Sequence, residues 1–268
     1  MQRLFSWTWS GKRFFRLGTF LTVGLLVTGC ATDMTRERER SAALRNIGQA
    51  YLMQRDFTAA LSKLLEAEAV YADDPILQNY LGLAYRAKAR FAEAADHFGQ
   101  ALALDPAYAP ARNNLGETYL AMSRWDDAIA VFEPLSEALL YATPHFVDLN
   151  LGWAYFNRND IPSALMHYQK AADYYRQGII PKDVNYLKAQ RGVTRCLTAQ
   201  GRLEAARQII RDTIALAPDF APLFLDLGRI EFERKDFSAS AEAYRKVIAL
   251  APDSMEAREA QIALQQMP

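Results

Sequence analysis

The chain has 268 residues, enough for two ordinary domains or one elongated repeat array. Apolar residues make up 51%, and 13 glycines and 11 prolines are few, which excludes a disordered, collagen-like or low-complexity polymer. Thirty-one bases balance 31 acids, which argues against a broad nucleic-acid-binding surface, and two cysteines cannot build a disulfide framework.

Residues 1–16 carry Arg3, Lys12, Arg13 and Arg16 and no acid. Residues 17–27, LGTFLTVGLLV, form an apolar run, and Thr28, Gly29 and Cys30 follow. A basic segment, a short apolar core and a small-residue cleavage site make a secretory signal. The competing reading, a transmembrane anchor, fails on length. The run is eleven residues long. As a helix it reaches about 16 Å against a hydrocarbon core of about 30 Å. Val27-Thr28-Gly29-Cys30 resembles the lipobox of bacterial lipoproteins, in which the cysteine becomes the first mature residue and its sulfur takes the lipid. The resemblance implies a palmitate-type anchor of about three acyl chains on Cys30, and such an anchor is effectively permanent. Ala31 rather than an aspartate follows the cysteine, which by the sorting rule of Gram-negative lipoproteins implies an outer-membrane address on the periplasmic face. Loss of residues 1–29 removes four bases and no acid, leaving 27 against 31. The other cysteine, Cys196, sits in an apolar helical setting and is expected to be a small buried side chain.

The rest of the chain repeats. Gly48, Gly82, Gly116, Gly152 and Gly228 each follow an aliphatic residue, and the first four are spaced by 34, 34 and 36. Three positions after each of these four comes a tyrosine: Tyr51, Tyr85, Tyr119 and Tyr155. Twelve positions after come Ala60, Ala94, Ala128 and Ala164, and four further on Leu64, Phe98, Phe132 and Tyr168. Glycine and alanine at these points let paired helices approach closely, while the aromatics fill the space toward the next pair. The pattern resembles the tetratricopeptide repeat (TPR), a helix–turn–helix of about 34 residues. The resemblance implies an all-α solenoid of six hairpins, at about 41–74, 75–108, 109–144, 145–186, 187–220 and 221–252. Residues 253–268 would form a C-terminal capping helix over the last open face. In this division 1–29 is the lipoprotein signal peptide, 30–40 the lipidated cysteine and a short tether, and 41–268 the superhelix. The fifth unit is degenerate, with Thr194 for the glycine and Leu197 for the tyrosine, and the sixth has Ser240 for the alanine.

Two departures stand out. Pro134 falls inside the second helix of the third unit and is expected to kink it. The interval from Gly152 to Thr194 is 42 residues and includes Gly178 and Pro181, a stop-and-turn signal flanked by longer helices at 163–177 and 182–199. It is either a plain loop extension or a change in superhelix pitch. RERER at 36–40 begins the first helix as a solvated charged face, and six extended residues after Cys30 hold the solenoid within about 20 Å of the membrane.

No catalytic constellation is present: no GxSxG, HExxH or P-loop. His97, His145 and His167 match no metal-ligand spacing, so no metal and no cofactor beyond the lipid on Cys30 is expected, and no enzymatic activity. Asp73-Asp74 and Asp126-Asp127 stand at helix starts, where carboxylates cap the helix and suit its dipole. In a TPR superhelix the first helix of each pair lines the concave groove. Relative to the glycine, the positions at −6, −3, +1 and +4 face it. In the fourth unit these are Phe146, Leu149, Trp153 and Phe156, one apolar stripe; in the fifth they are Lys188, Arg191, Arg195 and Thr198. The stripe is either a partner groove, extended by Leu83, Asn113, Leu120 and Ile76, or is buried by heavier packing of the fourth and fifth units. The dicarboxylate clamp of chaperone-binding TPRs is not matched, though Arg45, Gln49 and Asn79 come near.

A lipobox, a short tether and six TPRs, together with the segment RWDDAIAVFEPLSEALLYATPHFVDLNLGWAYFNRND at 124–160, resemble the type IV pilus biogenesis/stability lipoproteins, the TPR pilotins. That resemblance implies an outer-membrane lipoprotein that binds secretin subunits and assists their assembly or localisation. It implies a protein partner and a membrane anchor, without nucleic acid or small-molecule substrate. The other reading of the same features is a lipoprotein adaptor that scaffolds periplasmic proteases or peptidoglycan hydrolases.

Overall fold

The computed structural model describes residues 18–137, 143–177 and 183–268, with side chains from residue 33 onward except at 177. Among the described residues there are thirteen α-helices and no strand. They pair as α1 (Gly18–Met53) with α2 (Phe57–Val70), α3 (Pro75–Ala87) with α4 (Phe91–Leu104), and α5 (Ala109–Ala121) with α6 (Trp125–Ser136). Then follow α7 (Pro144–Asn157) with α8 (Ile161–Gln177), α9 (Val184–Ala199) with α10 (Leu203–Leu216), and α11 (Ala221–Glu233) with α12 (Phe237–Leu250). The last helix, α13 (Met255–Gln265), packs on α12 and α11. The fold is the all-α repeat solenoid with a capping helix that the spacing implies.

Local chemistry explains where each helix starts and stops. Proline occupies the first turn of α3, α5, α7 and α11, where its missing N–H costs nothing. Asp56, Asp74, Asp183, Asp236 and Ser254 cap α2, α3, α9, α12 and α13 by accepting backbone N–H bonds. Asp126 and Asp127 lie in the first turn of α6. Each hairpin turns through one left-handed residue, seven positions after the repeat glycine or, in the fifth, after Thr194: Arg55, Ala89, Ser123, Asn159, Gly201 and Lys235.

The signature residues close each hairpin. Ala60, Ala94, Ala128, Ala164, Ala206 and Ser240 are all fully buried. Ser240 fits where alanine is expected because its hydroxyl donates to the Gly228 carbonyl oxygen at 2.7 Å. Gly82 and Gly116 lie against the rings of Phe98 and Phe132. In the fifth hairpin Thr194 is buried, with its hydroxyl bonded to the Gln190 carbonyl oxygen at 2.8 Å. There the close approach is made by Gly192 instead, which meets Tyr168 of α8. Tyr168 therefore lies between Gly152 and Gly192 and locks α7, α8 and α9 together. The largest core cluster runs from α6 to α11 around this block, with Phe132, Leu151 and Ile210 among its buried members.

Successive odd-numbered helices touch one another from α1 through α13, whereas the even-numbered helices touch only odd-numbered ones. The odd helices thus form the inner, tighter layer of the solenoid, and their free faces line its concave side.

Some expectations change. The backbone of α1 is helical from Gly18 to Met53, so 31–35 does not form an extended tether and 36–40 lies inside the helix, where its side chains are exposed. No proline interrupts that stretch to stop the helix. Pro134 lies two residues from the end of α6, a helix of 12 residues against 14 for α2, α4, α10 and α12. The turn with Gly178 and Pro181 lies outside the described residues; α8 and α9, on either side of it, have 17 and 16 residues. Among the described residues no helix is long and apolar enough to cross a membrane.

Candidate protein-binding groove

The concave faces of α5, α7 and α9 enclose a cavity of about 460 Å³. On the α7 wall Phe146 and Trp153 are exposed, at 40% and 39%. On the α9 wall stand Lys188, Arg191 and Arg195, and α5 contributes Asn113 and Glu117. Asn150 of α7 and Asn185 at the start of α9 add amide groups. A second depression of about 230 Å³ continues along the same side past Phe156, Thr198 and Arg229.

Of the four-residue stripe, Phe146 and Trp153 open into the cavity, and Phe156 is half-buried beside the second depression. Leu149 also lines the cavity, but at 9% exposure most of its side chain is packed into the central core. Asn79 and Leu225, at the corresponding position of their repeats, are also buried. At Asn79 this position meets the next odd helix, its Oδ1 accepting from Asn114 Nδ2 at 2.9 Å. Leu83 and Leu120 are half-buried against core clusters and are not among the residues that line this cavity. Asn113 does line it, its amide donating to Glu117 at 3.0 Å. Cys30 lies on the backbone of α1, outside the residues whose side chains are described.

The α9 cations are the part of the groove the candidate site omits. Their spacing of i, i+3 and i+7 was visible, but without the positions of Phe146 and Trp153 across the groove it carried no weight. Arg195 stacks on two rings, 5.5 Å from the centroid of Trp153 and 4.6 Å from that of Phe156. Arg191 is held by Asp226 at 2.5 Å, and Asp226 also meets Arg229 at 3.4 Å. Glu117 is held by Arg86 at 2.7 Å.

Buried polar chemistry nearby is structural. Asp148 accepts from Ser136 at 2.8 Å and faces His167 Nδ1 at 2.8 Å through the same oxygen. The serine therefore bonds the carboxylate and not the imidazole, which is not the order of a Ser–His–Asp triad. Burial, then the bond to Glu133, pushes the Tyr155 hydroxyl up to about 12. Burial pushes the Cys196 thiol up to about 12, which leaves it without thiolate reactivity. Among the described residues no group of histidine, cysteine and carboxylate side chains could hold a metal ion.

Comparison with known proteins agrees with this architecture. Tetratricopeptide-repeat models match residues 85–139 and, in two overlapping copies, 149–221 and 197–255. Among solved structures, the chain resembles PilF of Pseudomonas aeruginosa at 21% identity and a TM-score of 0.64, over 84% of this chain and 99% of that one. It resembles PilW, described as a widely conserved type IV pilus biogenesis factor, at 19% identity and a TM-score of 0.68, over 82% and 98%. YrrB, described as a TPR protein with an unusual peptide-binding site, matches at 20% identity and a TM-score of 0.54, over 74% and 97%. At these identities the likeness is one of fold, and that fold is typically a non-catalytic scaffold for protein interaction. With repeat models matching more than half its length, its repeat glycines seated on large side chains of their partner helices and an open groove along its inner layer, this chain belongs to the tetratricopeptide-repeat family.

Proposed function

We propose that the protein is an outer-membrane lipoprotein, anchored through acylated Cys30 on the periplasmic face, that binds secretin subunits of the type IV pilus and assists their assembly or outer-membrane localisation. The observation that carries the reading is the open pair Phe146 and Trp153 on the concave wall of a solenoid whose fold spans nearly the whole of PilF and PilW. Exposed aromatic surface of this kind usually marks a partner site. The lipobox-like segment before Cys30 supports the anchor. Groove capture would keep an apolar segment of the partner from aggregating, and tethering would raise the effective concentration of subunits at one surface.

Two substitutions separate the parts of the proposal. Cys30→Ala leaves the fold intact and releases the protein from the membrane fraction. Trp153→Ala weakens secretin capture by about 2 kcal/mol, as expected for an aromatic anchor. An unchanged melting temperature together with unchanged capture by Trp153→Ala would remove the groove from the mechanism.

A further inference from the structure

Two rows of side chains face each other across the 460 Å³ cavity. Phe146 and Trp153 stand seven residues apart on α7, and Lys188 and Arg195 stand seven residues apart on α9. Two helical turns make each row about 10 Å long. One wall is aromatic and the other is basic.

The charge on the basic wall is not balanced within the groove. Glu117 is taken up by Arg86 and Asn113, and Asp226 by Arg191 and Arg229. Among the described residues, neither Lys188 nor Arg195 has a carboxylate partner. Arg195 is held by stacking on Trp153 and Phe156. Stacking uses the faces of a guanidinium and leaves its N–H donors for a carboxylate.

Within the α7 row, between Phe146 and Trp153, lies an amide, Asn150, whose side chain makes no hydrogen bond among the described residues. A side-chain amide both donates and accepts. It suits the free N–H and C=O groups of an extended chain, which a helix has already spent internally. Four extended residues also span about 10 Å from first to last, and their alternating side chains place two on each of two opposite sides.

Resting on the reading of this groove as a docking site, we propose that its occupant is an extended polypeptide segment in which apolar and acidic residues alternate. The apolar side chains lie against Phe146 and Trp153, and the acidic ones meet Lys188 and Arg195. The cations form a row and not a single cluster. That arrangement fits carboxylates spaced along a chain and not one terminal carboxylate.

The test uses fluorescence anisotropy with a labelled synthetic peptide of about eight residues, alternating Glu and Leu and capped at both ends. Its comparators are the same peptide with Gln for every Glu, and one of the same composition with its Glu and Leu in separate blocks. The alternating acidic peptide should bind about tenfold more tightly than the Gln peptide, since two partly exposed ion pairs are worth about that much. It should also bind more tightly than the block peptide, and added salt should erase its advantage over Gln. The double variant Lys188→Gln/Arg195→Gln should bind the acidic and Gln peptides alike, with unchanged circular dichroism and melting temperature. Equal binding of acidic and Gln peptides by the unaltered protein overturns the proposal, as does full discrimination by the double variant. If either occurs while Trp153→Ala still loses secretin capture, the groove remains a docking site and only the proposed occupant is wrong. If Trp153→Ala changes neither, the docking reading falls as well.

Discussion

A methyl group at position 82 would lie 2.5 Å from the ring of Phe98, and that ring is fully buried in the hairpin core. The ring cannot swing aside, so Gly82→Ala must push α3 and α4 apart. A loss of about 1–3 kcal/mol is expected from overpacking, measured by urea unfolding. Seven residues on, Ala89 holds a left-handed backbone, φ 57°. Here the preference reverses. Ala89→Gly relieves a conformation that costs an ordinary residue about 1 kcal/mol, offset in part by the entropy glycine gains when unfolded. The substitution should leave stability unchanged or raise it by a few tenths of a kcal/mol. The same change in either direction, glycine to alanine or alanine to glycine, thus has opposite effects within one hairpin, and a single denaturation series checks both.

Where α7 begins beside the end of α8, His145 stacks on Tyr174 at 4.0 Å and meets Tyr175 edge-on at 4.9 Å. Its Nδ1 is buried with no hydrogen-bond partner among the described residues. Burial holds its pKa below 6.5, against weaker upward pulls from Asp183 and Asp148. Below pH 6.5 the unfolded chain therefore binds the proton more readily than the folded one, and stability falls as pH drops through that value. His145→Phe keeps the stacking and removes the titration, so the loss of melting temperature between about pH 7.5 and 5.5 should shrink. His97, lowered by burial as well, keeps its own contribution in that variant. The helices themselves could be read from spacing, because Gly82, Ala94 and Phe98 meet inside one hairpin at fixed separations. Leu149 could not, since its burial depends on where the next odd helix lies, beyond an interval of 42 residues. Gly192 escaped for a related reason: it packs on Tyr168 of the hairpin before it, two positions from the expected register at Thr194. The groove was half visible, as an aromatic stripe on α7. The basic wall opposite acquired meaning only once α9 stood beside it.

Across the whole molecule each hairpin rests on its neighbours, so the ends are the weak points. Val247 and Tyr244 of α12 and Leu225 of α11 belong to the core cluster that α13 completes with Ala260, Ala263 and Leu264. Deleting 255–268 should cost about 2–4 kcal/mol, the scale of baring one or two large apolar side chains. It should also promote self-association, which light scattering would detect.

Tyr168 makes one exception to this neighbour-by-neighbour construction. Because a single ring is wedged between glycines of two different hairpins, the fourth and fifth units are not interchangeable bricks. Shuffling either one alone into another array would carry half a joint with it. They must be inherited, lost or transplanted as a pair, and a chimera that splits them should fold only when ring and both glycines travel together.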